Sequence, residues 1–414
     1  MLAAAARRPS LATVVLVRRF ATEPVAAGSN SHSSSPPPPL PTSKPRSHLY
    51  PHPRPAKSQQ LPRNSNLPRL PPTFGRNQLL PVTDATRALL EDVVAKFNAP
   101  IRYAFAYGSG VFEQDGREQD AETPMLDFMF AVTHPAHFHY INMQQYPAHY
   151  PMHARMLGSS YVERVEDIGP GVWFNAYVPM NGKVIKYGVT SIDNLCNDLL
   201  NWRTLYLAGR MHKPLRIIKD DARVRLTQQV NLTSAVRAAL LTLPDQFSET
   251  QLFETIAAIS YNGDPRMVLP AENRGKVGNI VRKQGPQFKE LYQRLLVGLP
   301  GTHWPTHLNG IKQDTSPHAR TYHLRKLPHN LLIRVRSRFS ERGVSEELLK
   351  EDENAYWLKL TADEEVLRKV IMEEIGKIVR GPATVQSMKG IVTAGIGKSI
   401  KYGTTKIGKW WSGS

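Results

Sequence analysis

The sequence predicts an α+β protein: a mixed-sheet domain, then a mainly helical domain, then an amphipathic C-terminal segment. Three observations predict it. Two apolar runs, residues 101–107 (IRYAFAY) and 126–132 (LDFMFAV), have the length and composition of strands. Residues 171–178 and 183–190 are β-rich and flank Asn181-Gly182, a dipeptide that signals a hairpin between apolar strands. From about residue 220 the text turns helical.

Composition narrows the partners. The 414 residues carry a formal charge of +18, of which +10 falls in residues 1–80, where eleven Lys/Arg face one acid, Glu23. The remaining +8 leaves a moderately basic body suited to a nucleotide, a nucleic acid or an anionic lipid surface. One cysteine, Cys196, excludes an internal disulfide and a cysteine-rich metal site. No apolar run approaches the roughly 18–20 residues that span a bilayer, so no transmembrane segment is expected.

Residues 1–22 contain Arg7, Arg8, Arg18 and Arg19 without an acid, as in a mitochondrial transit peptide, and 18–22 resemble a matrix-processing site. Residues 23–76 are Pro/Ser-rich and basic, too poor in apolar surface to offset their ordering entropy, and read as a disordered linker. A domain over 77–220 follows. Thr83 or Asp84 can cap a helix whose buried face is Leu89, Leu90, Val93, Val94 and Phe97. The first strand runs into Gly108-Ser109-Gly110, and a polar loop leads to the second. His134, His137, His139, His149 and His153 cluster in sequence. The spacing puts His137 and His139 on one side of a strand and His149 and His153 on one helix face. No zinc signature matches, which favours surface or hydrogen-bonding histidines. Lys186, between Ile185 and Tyr187, either points to solvent, as periodicity favours, or aims into a ligand site. Ser191 caps a helix predicted over 192–208, and the basic run Arg210-Met211-His212-Lys213 either faces an anion or complements that helix's C-terminal dipole.

A helical domain is expected over 221–345, with helices at 228–243, 248–261, 277–296 (broken near Gly285-Pro286) and 331–339, and a Gly/Pro/His-rich loop insertion at 298–330. Residues 346–414 hold a helix over 361–379 and a tail that interleaves Ile396, Ile400, Trp410 and Trp411 with Lys398 and Lys401. No acid occurs from residue 376 onward. Such a segment suits an anionic bilayer surface, and the alternative is a terminal helix docked on the core.

A glycine turn lets backbone approach phosphates closely, and a carboxylate on the neighbouring strand can hold a divalent metal against them. Gly108-Ser109 and Asp127 stand in those places. Polymerase-β-like nucleotidyltransferases use this plan, with two carboxylates two residues apart on the second strand. Here Met125 and Met129 flank Asp127 at that spacing, so a second ligand must come from elsewhere, Asp120 and Glu122 being candidates.

The stretches YAFAYGSGVF, PMLDFMFAV, KYGV, DLLNWRTLYLAGRMHKP, SYNGDPRM, KVGNIV and QSMKGIVTAGIGKSIKY resemble the mitochondrial translocator maintenance family, the mitochondrial phosphatidate cytidylyltransferases or CDP-diacylglycerol synthases. The resemblance runs from about residue 79 to the C-terminus. It implies a nucleotidyltransferase domain followed by a winged-helix-like domain, peripheral on the matrix side of the mitochondrial inner membrane. It implies CTP and phosphatidic acid as substrates, Mg²⁺ as cofactor, and a product that feeds cardiolipin synthesis. By that resemblance Gly108 and Ser109 cradle the CTP phosphates, Asp127 binds Mg²⁺, and Lys186 contacts phosphate. Asp264 and Arg266 are either substrate contacts or an interdomain ion pair. Two other readings compete: a nucleotidyltransferase acting on RNA, and a non-catalytic factor maintaining protein import. The tail argues against RNA and so for no nucleic-acid partner; an acid inside an apolar strand argues against a scaffold.

Overall fold

The computed structural model describes residues 71, 73–112, 125–268, 275–305 and 310–394. The transit peptide, nearly all of the linker, Asp120, Glu122, and the tail residues Ile396, Lys398, Ile400, Lys401, Trp410 and Trp411 lie outside the described residues.

The first half of the body is built on a sheet. Helix α1 (Asp84–Ala95) starts where the Thr83 side chain accepts the Thr86 N–H. Strand β1 (Tyr103–Tyr107) leads through Gly108 into the short α2 (Ser109–Phe112), and β2 (Leu126–Val132) returns antiparallel to β1. Then come α3 (Pro135–Gln145), α4 (Met152–Leu157) and α5 (Ser159–Asp167). Strands β3 (Trp173–Met180) and β4 (Lys183–Ser191) form the expected hairpin, with Asn181 at φ 53° and Gly182 at φ 69° as a two-residue primed turn requires. Helix α6 (Ile192–Asn201) and strand β5 (Leu215–Lys219) complete the half. The strand order is β3-β4-β2-β1-β5, with β2 and β4 parallel and the other pairs antiparallel.

Both faces of this sheet are covered, which is why its strands read as nearly unbroken apolar runs. One face packs Phe128, Phe130, Tyr187 and Val189 with Leu90, Val93 and Phe97 around α1 and with Phe138 of α3. The other packs Tyr103, Phe105 and Met129 into the largest core, which continues through the helices as far as Ala383.

The second half contains α7 (Ala222–Leu240), β6 (Gln246–Ser248), α8 (Glu249–Ala258), α9 (Lys276–Val297), β7 (Thr302–His303), β8 (Gly310–Gln313), α10 (Pro317–Leu324), α11 (His329–Ser340), α12 (Glu347–Glu351), α13 (Glu353–Thr361) and α14 (Glu364–Ala394). Strands β6, β8 and β7 form a small antiparallel sheet in that order.

Four expectations change. Residues 298–330 are not simply a loop, because β8 pairs with β6 and Ser316 caps α10. Helix α7 begins six residues earlier than expected, where the Asp221 carboxylate accepts the N–H groups of Arg223 and Val224. Helix α6 ends at Asn201 rather than at 208, for a reason given below. His137 and His139 lie on a helix, which Pro135 opens at its first turn, and His149 and His153 share no helix, since His149 ends a short 3₁₀ turn (Pro147–His149) before α4 begins at Met152. His139 is fully buried, hydrogen-bonded at Nδ1 to the Tyr150 hydroxyl (2.8 Å) and at Nε2 to Glu166 (2.9 Å). His149 meets the Tyr187 hydroxyl at 2.8 Å. No group of three or more His, Cys, Asp or Glu side chains among the described residues could hold a metal ion.

Two other buried histidines make stability pH-dependent. Burial lowers His212 to about 3 and His323 to about 4. Nε2–H of His212 donates to Asn231 Oδ1 (2.9 Å), while its Nδ1 has no hydrogen-bond partner. Each ring is neutral in the fold and charged in the unfolded chain between its folded pKa and about 6.5. Their stabilisation is therefore complete above pH ~6.5 and falls with pH below it, each contributing a loss of roughly 2 kcal/mol by pH 5. Denaturant midpoints at pH 7 and pH 5 measure the drop, and His323→Gln should reduce it.

Candidate active site

Three strands meet at one end of the sheet. Tyr107, Asp127 and Lys186 are register partners on β1, β2 and β4, so their side chains share a face. Lys186 Nζ lies 3.6 Å from Asp127 Oδ1 and 4.6 Å from the centre of the Phe174 ring. Both side chains of this pair are about one-quarter exposed, at 28% and 26%. Lys186 thus shares a face with Asp127, against the bias of its periodicity toward solvent. Gly108 turns the chain at φ 91°, and a Cβ added there would lie 3.6 Å from Asp127 Oδ2. Ser109 opens α2 directly after it.

The lack of a second carboxylate two residues on has a structural cause. Met129 is 1% exposed and belongs to the core. A Cβ added to its register partner, Gly188, would meet Met129 Sδ at 2.8 Å and Phe174 Cε1 at 2.6 Å. The space beside Asp127 in that direction is filled by packing.

A loop after α6 brings in further charge. Trp202 takes the left-handed conformation at φ 52° and ends the helix, with Leu205 at φ 55° following. The fully buried Asp198 carboxylate stabilises this turn by accepting the backbone N–H groups of Thr204, Leu205, Leu207 and Ala208 at 2.6–3.1 Å. These bonds replace helical ones, so the apolar spacing across 202–206 does not continue α6.

The loop delivers Arg210 and Lys213. Arg210 Nη1 donates to the Tyr107 hydroxyl at 2.6 Å, and the guanidinium lies 4.6 Å from the Tyr107 ring centre and 5.0 Å from that of Tyr206. Its Nε–H is buried without a hydrogen-bond partner. Burial opposes the charge, but Tyr107, Tyr206 and Asp127 hold Arg210 protonated, above its ordinary range. Lys213 Nζ donates to the Gly209 carbonyl (2.6 Å) and Ser260 Oγ (2.7 Å). Lys213 and Lys276 share the Tyr261 ring at 4.8 and 5.4 Å. Burial, Arg210 and Lys276 together push the Lys213 ammonium well below the usual lysine range. Such a site gains from binding an anion.

Asp264 and Arg266 form a pair within one loop, not between domains. Asp264 is buried, and its Oδ2 accepts Arg266 Nη2–H at 2.6 Å while Oδ1 accepts the Arg266 backbone and Nε–H groups at 3.0 Å. Burial and the Asp264 bonds act on Arg266 most, with Tyr206 and Arg210 also within its electrostatic reach.

Sequence reasoning left Arg210 and Lys213 undecided and did not single out Tyr107, Tyr206, Tyr261 or Lys276. The signal present was the spacing of cations from aromatics, which only the fold brings together. The donor set suits Mg²⁺ held mainly through a substrate: such ions take one or two protein carboxylates, with phosphates and water completing the shell. Asp127, partly exposed and beside a backbone without a Cβ, is the one carboxylate of this face among the described residues.

Known proteins resemble this chain over most of its length. The family model described as mitochondrial phosphatidate cytidylyltransferase matches residues 90–409. Three proteins bearing that description are similar over most of their length. The Xenopus laevis protein is 39% identical over 338 residues, covering 80% of this chain and 96% of the relative. The Danio rerio protein is 38% identical, covering 81% and 98%. The Saccharomyces cerevisiae protein is 35% identical, covering 82% and 74%.

Proposed function

The chain belongs to the mitochondrial phosphatidate cytidylyltransferase family, and we infer that it joins CTP to phosphatidic acid to form CDP-diacylglycerol and pyrophosphate. An oxygen of the phosphatidate phosphate bonds to the α-phosphorus of CTP. The bond from that phosphorus to the oxygen bridging to the β-phosphate breaks, and pyrophosphate leaves with the electron pair. The nucleophile is already ionised at neutral pH, so no general base is required. What the reaction requires is alignment of two anions and neutralisation of the charge that builds on the leaving group.

One observation carries this reading: Lys186 and Arg210 converge around Asp127 and Tyr107, with Lys213 and Lys276 on the adjoining Tyr261 ring. In our reading the Gly108 backbone and Ser109 approach the CTP phosphates, and Lys186 leaves Asp127 for a phosphate oxygen. Asp127 would hold Mg²⁺, which when bound supplies Lewis-acid neutralisation of phosphate charge. Arg210 and Lys213 bind the second anion, and Asp264 holds Arg266 ready as a further contact. The β1–β2 arrangement supports a polymerase-β-like nucleotidyltransferase domain over 77–220. The β6-β8-β7 sheet beside α8 and α9 supports a winged-helix-like domain over 221–345. The protein is mitochondrial, and no described helix is long and apolar enough to cross a membrane. We place it peripherally on the matrix side of the inner membrane, with Ile396, Lys398, Ile400, Lys401, Trp410 and Trp411 at an anionic lipid surface and its product entering cardiolipin synthesis.

Incubation with labelled CTP, Mg²⁺ and either phosphatidic acid or RNA tests the assignment. Label should enter the lipid; transfer to RNA alone would overturn it. In the same assay Lys186→Met should lower kcat/KM for CTP roughly 10- to 100-fold, through one lost charge-assisted contact. Its melting temperature should barely move, because a partly exposed pair contributes about 0–1 kcal/mol.

A further inference from the structure

The described residues that leave large apolar side chains in water include a concentrated group on α4. Met152, Met156 and Leu157 are 72%, 79% and 62% exposed within six residues. Met152 and Met156 lie one turn apart on one face. The opposite face is firmly held: Ala154 is fully buried with Val162 and Trp173 in a small core of its own. The exposed groups therefore project from a supported element and are not the fray of a loose end.

The charge on α4 itself is positive. Arg155 is exposed between Met152 and Met156, and no Asp or Glu occurs between Asp127 and Glu163. Glu163 and Asp167 on the adjoining α5 are the nearest unburied acids in sequence after α4, so Arg155 is the charge set among these apolar side chains. Apolar anchors beside a cation match the interface of an anionic bilayer.

A second observation ties α4 to the end of the chain. Gly158, at φ 83°, turns α4 back into α5, and His153 packs against the Tyr161 ring. At the far end of α5, Lys389 Nζ from α14 donates to the Glu166 and Ile168 carbonyls, both at 2.9 Å. Val385 presses on Gly169, where an added Cβ would meet Val385 Cγ1 at 2.6 Å. Ile168 and Met388, beside this joint, are also exposed. Helix α14 delivers the segment whose sequence interleaves Ile, Lys and Trp, so that segment leaves from the helix fastened to the α4–α5 layer.

We propose that α4 is a second membrane-contact element. Met152, Met156 and Leu157 enter the boundary between headgroups and acyl chains of a bilayer carrying anionic lipid, with Arg155 at its phosphates. Contact through α4 gives the body an orientation that the C-terminal tail by itself would not. The proposal rests on the lipid-substrate reading above, and its test separates the two.

Full-length Met156→Cys, labelled with an environment-sensitive fluorophore, is mixed with vesicles of phosphatidylcholine and phosphatidic acid. Cys196 is buried and its thiol is pushed up to about 11, so labelling is selective. Emission should shift to the blue on vesicles; an unshifted probe on protein that floats with them overturns the proposal. The triple variant Met152→Ser, Met156→Ser, Leu157→Ser should partition into vesicles about tenfold less, a difference of ~1.4 kcal/mol. It should keep the wild-type rate on short-chain phosphatidic acid dispersed in detergent. Unchanged partitioning, or a change of oligomeric state in its place, also overturns the proposal. A wild-type protein that floats but does not turn over the dispersed lipid would count against the lipid-substrate reading alone.

Discussion

Replacing Asp127 by alanine is expected to reduce Mg²⁺- and CTP-dependent formation of CDP-diacylglycerol by about a thousandfold or more, with the fold intact. The expectation follows from what Asp127 can and cannot be doing. It is not a core residue: its side chain is 26% exposed, and among the described residues its one ion pair is the 3.6 Å contact with Lys186. Loss of such a pair costs about 0–1 kcal/mol of stability. A metal ligand is worth several kcal/mol of transition-state charge stabilisation, and a thousandfold is about 4 kcal/mol. Packing by Met129 leaves no second carboxylate on this face among the described residues to take over. Asp127→Asn separates charge from shape: it should fall nearly as far. Circular dichroism and turnover, measured together, check the prediction, and full activity in either variant would remove Asp127 from the site.

Arg210→Met is expected to affect activity and stability together. Arg210 offers its charge to an anion, and a charge-assisted bond of that kind contributes about 1.5–3 kcal/mol. With the electrostatic loss around it, kcat/KM should fall roughly 100-fold. The same change removes the donor to the Tyr107 hydroxyl and the stacking on Tyr107 and Tyr206. Tyr107 is partly buried, and its hydroxyl left unpaired costs up to about 1–3 kcal/mol, which lowers the melting temperature by a few degrees. Arg210→Lys keeps the charge without the planar fork and should fall between wild type and Met. If Arg210→Met melts lower but turns over normally, Arg210 is structural only.

Much of the site's frame was legible. Runs of apolar residues broken by Gly108 and Asp127 announced strands with something polar at their ends, and Asn181-Gly182 announced the hairpin that carries Lys186. The cations of the loop after α6 were not legible. Their placement depends on Asp198, which looks in the sequence like an ordinary polar position on a helix. Buried, it accepts four backbone N–H groups and turns the chain away from helix. Lys186 misled periodicity for a related reason. A strand covered on both faces has no solvent side, so alternation says nothing about where a lone lysine points.

The sequence by itself determined the local elements, the hairpin, the single carboxylate and the family. Each depends on neighbours in the chain or on motifs of fixed spacing. Tertiary structure alone decided that Arg210 meets Tyr107 beside Asp127 and that Lys213 and Lys276 meet over Tyr261, residues scattered over some 170 positions. It also decided that Met129 fills the place of a second acid and that α4 holds its methionines outward. Those outcomes depend on which surfaces bury one another, and burial is a property of the packed chain rather than of any window within it.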